Sequence, residues 1–67
     1  MDRAQIEIIK SIGGRKELQG VIISKNWSAK SFLDCALVDD LKNFETNMEK
    51  AKACIDDAES LFKEFRR

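Results

Sequence analysis

Leu37-Val38-Asp39-Asp40-Leu41-Lys42-Asn43-Phe44-Glu45-Thr46-Asn47-Met48-Glu49-Lys50-Ala51-Lys52-Ala53-Cys54-Ile55-Asp56-Asp57-Ala58-Glu59-Ser60-Leu61-Phe62-Lys63-Glu64-Phe65 decides the fold. Its apolar residues Leu37, Leu41, Phe44, Met48, Ala51, Ile55, Ala58, Phe62 and Phe65 recur at alternating spacings of four and three. That is the period of an amphipathic helix, and it fills the a and d positions of four successive heptads. Leu41, Met48, Ile55 and Phe62 take the a positions. Cys54 and Leu61 add apolar g positions, so the stripe is wider than a two-stranded seam needs and implies burial against more than one neighbour.

Working outward, Ser31-Phe32-Leu33-Asp34 reads as a capping box, with Ser28 as a second candidate cap. The pattern therefore predicts a helix over residues 31–66. Asp34, Asp39 and Asp40 lie near its start and Lys63, Arg66 and Arg67 near its end, the polarity that the helix dipole favours. Glu59 and Lys63 form a favourable pair four residues apart. Such a helix is roughly 54 Å long, at about 1.5 Å per residue.

The first half is less regular. Asp2-Arg3-Ala4-Gln5 is a further candidate cap, and Ile6, Ile8, Ile9 and Ile12 supply an apolar face. Gly13-Gly14 then marks a break or bend, since each glycine costs about 1 kcal/mol against alanine inside a helix. Leu18, Val21, Ile22 and Trp27 fit a second helical segment. The alternative is a β-hairpin packed on the long helix, suggested by Val21-Ile22-Ile23 and the Gly-Gly pair. Arg15-Lys16-Glu17 continues a strand poorly, and a lone hairpin is marginally stable. The expected fold class is all-α: a single small domain over residues 1–67, a helical hairpin with segments over 1–27 and 31–66, turning near Trp27.

Composition narrows the functions. Sixty-seven residues with no histidine leave little room for a substrate pocket and remove the commonest general base and metal ligand. Twelve basic residues balance twelve acidic ones, which argues against a general nucleic-acid or anionic-membrane binder. Residues 1–33 carry six basic and three acidic side chains, and residues 34–67 carry six and nine. The competing reading is thus a small nucleic-acid-binding regulator using Lys10, Arg15, Lys16, Lys25 and Lys30.

Gly13-Gly14-Arg15-Lys16 lacks the spacing of a phosphate loop. Asp39-Asp40 and Asp56-Asp57 are neighbours about 100° apart on a helix, hence solvated charges rather than a paired acid–base site. Cys35 and Cys54, read as lying on one helix, are too far apart for a disulfide. No zinc-ligand set exists. The expectation is no enzyme, no catalytic or metal residue, no cofactor and no small-molecule substrate. Free thiols, and an N-terminus with no basic leader before an apolar run, suggest the cytoplasm. The longest strictly apolar runs are short, so no membrane span is expected.

Helix lengths then suggest a site. A first half of at most roughly 36 Å, at about 1.5 Å per residue, cannot cover a stripe of roughly 54 Å. With the turn near residues 27–30, the far end of the stripe is expected to stay exposed. Ile55, Ala58, Leu61, Phe62 and Phe65, with Trp27 as a further anchor, form the expected partner-binding surface. The expected partners are a second copy of the chain or a helical protein. In length and outline, over the whole chain, the sequence resembles the small helical-hairpin co-chaperones of type III secretion needle subunits. The likeness is one of shape, and it implies a chaperone-like module that grips a helix.

Overall fold

The computed structural model describes residues 1–38 and 41–67. Two helices account for nearly all of them: α1 (Arg3–Val38) and α2 (Leu41–Phe65). The described residues contain no strand, and residues 5–26 are helical on either side of Gly13-Gly14, so the β-hairpin alternative is set aside.

α1 starts where its cap predicts. The backbone N–H of Gln5 donates to Asp2 Oδ1 at 2.9 Å, which satisfies one of the amides that the first helical turn leaves free. The helix is not continuous. Gly13 (φ −151°, ψ 15°) and Gly14 (φ 59°, ψ −137°) leave helical geometry, dividing α1 into a short arm (3–12) and a long arm (15–38). Gly14 occupies a region that side-chain-bearing residues reach only with strain. Nothing lies within 4 Å of where its Cβ would stand, so backbone conformation alone requires glycine there.

The break reverses the chain. Ile6 and Leu18 are both buried in one cluster with Leu61. On a straight helix, twelve residues apart, they would be separated by roughly 18 Å. The short arm therefore folds back along the long arm and covers the C-terminal end of α2. Met1, Ile9, Val21, Ile22 and Phe65 pack around this cluster.

This overturns two expectations. The chain does not turn near Trp27: residues 27–34 lie within α1, and the predicted helix over 31–66 is two elements that part after Val38. The Ser31 and Ser28 caps consequently lie inside a helix. Asp34 instead accepts from Lys30 Nζ at 3.2 Å, one turn away. Asp39 and Asp40, read as early-helix charges, lie outside the described residues. The end of the stripe is also partly covered, because the fold-back arm packs over Leu61 and Phe65, while Ile55 and Phe62 stay exposed.

Beyond the short arm, the two long helices meet through alanine. Ala29 and Ala36 on α1, and Ala51 and Ala58 on α2, are each seven apart and all buried. Small side chains one heptad apart let two backbones approach closely along a narrow seam. The seam on α2 runs through the d and g positions Ala51, Cys54, Ala58, Leu61 and Phe65. The a positions fall to one side of it.

Charges lock the fold-back arm. Glu64 is 7% exposed and the only buried charged residue among those described. Its carboxylate accepts from Arg3 at 2.7 and 3.2 Å and from Lys10 at 2.7 Å, and Arg67 stands at 3.7 Å. The N-terminal ammonium pairs with Asp57 at 3.0 Å, and Lys25 meets the same carboxylate at 3.3 Å. Arg15 lies over the Phe65 ring at 4.3 Å. Cys35 sits on α1 and Cys54 on α2, and both are free. The thiols are unbridged as expected, though they do not share one helix.

An open apolar face

The helix period now has a consequence. On α2, the residues about 60–120° to one side of the seam are Leu41, Phe44, Met48, Ile55 and Phe62. All are exposed, from 40% at Met48 to 91% at Leu41. On the flank of α1 that faces the same way, Ile22 is half-buried and Leu33 and Leu37 are exposed. Between the helices runs a shallow groove of about 320 Å³, lined by Ile22, Asn26, Ile55, Ala58, Glu59 and Phe62.

The short arm cannot close this groove. It is tied to the opposite flank by Arg3, Lys10 and the Met1 ammonium, which reach Glu64 and Asp57 on α2. The long pair of helices thus has one side covered near its base and the other side bare. Along the bare side large apolar groups follow one another from the base of the hairpin to its tip. At the tip, Leu37, Val38 and Leu41 are 84%, 79% and 91% exposed. Isolated exposed apolar residues are ordinary, but a continuous apolar face on a monomer marks a contact surface.

The six residues expected to bind a partner divide. Ile55 and Phe62 lie on the open face, at 46% and 47% exposure. Ala58 is buried in the seam but forms part of the groove floor. Leu61 is fully buried, and Phe65 is half-buried against the Ile6, Leu18 and Leu61 cluster, so both lie apart from the open face. Trp27 is 67% exposed mid-helix, where it closes no turn. Ile23, one turn earlier, is exposed beside it. Leu33, Leu37, Phe44 and Met48 join the face although the helix-length argument did not point to them. Part of their signal was present in the heptad pattern: Met48 takes an a position and Leu37 and Phe44 take d positions, while alanine fills the d positions 51 and 58.

The basic residues of the first half are mostly engaged. Arg3 and Lys10 hold Glu64, Lys25 holds Asp57, and Lys30 holds Asp34. Among the described residues no group of acidic or cysteine side chains could hold a metal ion, and no helix is long and apolar enough to cross a membrane. No family model, curated protein or solved structure matches this chain.

Proposed function

We propose that this chain is a small non-catalytic protein–protein interaction module. It binds an apolar helical surface, on a second copy or on a helical partner, through the face centred on Ile55 and Phe62. The observation that supports this is the outward placement of all four a-position residues, Leu41, Met48, Ile55 and Phe62, in a chain whose seam is already filled by alanine. Full burial of a side chain of this size stabilises by about 1.5–3 kcal/mol, and Met48, Ile55 and Phe62, already more than half covered, would gain roughly half of that. The nucleic-acid reading has less to work with, because four basic residues of the first half already hold carboxylates. Free thiols on both helices fit a reducing compartment such as the cytoplasm.

Photo-crosslinking in the native host tests the reading. A benzophenone side chain at position 62 is expected to capture protein, whether this chain or another, in clear excess over the same group at exposed Asp56. Equal capture at the two positions would contradict a binding role for the face.

A further inference from the structure

We propose that the basic pocket beside the fold-back arm binds a small dianionic phosphate, as the free ion or as a monoester. The pocket shares no lining residue with the groove of the open face, so the proposal stands apart from the interaction reading above.

The reversal at Gly14 assembles the pocket. Arg3 and Lys10 come from the short arm, Arg15 from the start of the long arm, and Arg67 from just beyond α2. They line a concavity of about 280 Å³ whose other walls are Leu18, Glu64 and Phe65. Pockets for drug-sized ligands run from about 300 to 1,000 Å³, so this one suits an ion or a short ester.

The charge balance calls for an anion. Four cations line the pocket against one carboxylate, Glu64. Glu7, which pairs with Arg3 at 2.6 Å, is a second acidic neighbour. Four positive groups against two negative ones leave an excess of two positive charges.

The excess also has hydrogen-bond donors to offer. Glu64 accepts from Arg3 and Lys10. Arg67 stands 3.7 Å from it, too far for a hydrogen bond. Arg15 lies over the Phe65 ring at 4.3 Å and meets no carboxylate among the described residues. Two guanidinium groups thus border the pocket without a carboxylate hydrogen-bonded to either fork. Lys10 spends one of its three ammonium donors on Glu64. Glu64 and the Phe65 ring meanwhile hold Arg3, Lys10 and Arg15 in place, so a ligand has less ordering of side chains to bring about.

The placement of the donors selects among anions. They approach from three segments of the chain, whereas a flat carboxylate is satisfied by a single guanidinium fork. A phosphate monoester offers three acceptor oxygens and carries about −1.5 to −2 at pH 7, which matches the local excess. A nucleic-acid backbone carries one charge per phosphate and would compensate only part of it.

Isothermal titration with inorganic phosphate, at about pH 7.5 where the dianion dominates, tests the site against chloride of matched ionic strength. One phosphate is expected to bind per chain, with a dissociation constant below about 1 mM. Arg15→Gln and Arg67→Gln are each expected to weaken binding by about tenfold or more, the loss of a hydrogen bond between charged groups. Neither side chain is hydrogen-bonded to Glu64, so both variants are expected to keep the parent's helical circular dichroism. Lys16→Gln makes the same charge change at an exposed residue outside the pocket and is expected to bind like the parent. Methyl phosphate identifies the source: tighter binding than inorganic phosphate assigns the site to monoesters, and weaker binding assigns it to the free ion. Binding that does not saturate by about 10 mM phosphate overturns the proposal. An equal loss in Lys16→Gln also overturns it, because the attraction would then be diffuse, and so does acetate binding as tightly as phosphate. Each of these outcomes leaves capture at position 62 untouched.

Discussion

Leu61→Ala is expected to abolish most of the folded population. Among the described residues Leu61 is the one large side chain with no exposed surface, and it joins the short arm, the long arm of α1 and α2 in a single cluster. Truncating a buried leucine costs about 2–5 kcal/mol, the upper part of that range applying where neighbours cannot collapse into the space. Here the neighbours are held on three elements by Glu64 and Asp57, so collapse is restricted. A core this small supplies net stability of only about 3–5 kcal/mol. The loss and the reserve are of the same size. Helical circular dichroism at 25 °C should fall sharply, and a variant melting close to the parent would show that Leu61 carries little of the fold.

Acid is expected to release the short arm, through Glu64. The Arg3 guanidinium and then the Lys10 ammonium hold its carboxyl down to about 2, from an ordinary 4.5, against the opposing effect of burial. Asp57 shifts the same way, chiefly through the N-terminal ammonium and secondarily through Lys25. A carboxyl with a lowered native pKa binds fewer protons folded than unfolded. Its contribution is therefore complete above the unfolded value of about 4.5 and is lost as pH falls toward 2. The melting temperature should be level near neutrality and drop through that window. Glu64→Gln should be less stable at pH 7 and should show a much shallower drop in acid, with Asp57 supplying the remainder. An acid profile for Glu64→Gln as steep as the parent's would place the pH sensitivity elsewhere.

The helical class of the fold, the break at Gly13-Gly14 and the Asp2 cap were legible in the sequence. Each depends on chemistry local to a few residues: glycine conformations at the break, and a carboxylate three residues before an amide at the cap. The turn was not legible. Ser31-Phe32-Leu33-Asp34 has the composition of a cap, but Lys30 draws Asp34 into a helix-face pair and Ala29 and Ala36 bury against α2, so α1 runs through to Val38. Moving the turn lengthens the first helix and shortens the second, which removes the length mismatch from which an uncovered C-terminal end was argued.

The open face was half legible. Helix length points to Ile55 and Phe62 because a first half of at most roughly 36 Å, at about 1.5 Å per residue, cannot reach them. They are open for a different reason: alanine at Ala29, Ala36, Ala51 and Ala58 pulls the two helices together and leaves the larger a residues outside. Helix length points equally to Leu61 and Phe65, which are covered because the reversal at Gly14 carries Ile6 and Ile9 back over them. That reversal is a long-range outcome that no local pattern around residues 61–65 specifies.

Ile55 and Phe62 face outward from a completed fold and are expected to serve association. Thermal melts of the parent and of an Ile55→Asp, Phe62→Asp double variant, over a roughly hundredfold range of concentration, test it most directly, because association with the native state raises the melting temperature by mass action. The parent's midpoint is expected to climb with concentration. The double variant should stay folded, with a midpoint near the parent's most dilute value and independent of concentration. An unfolded double variant at every concentration would make these residues core, and a midpoint that climbs as steeply as the parent's would mean that the face takes no part in assembly.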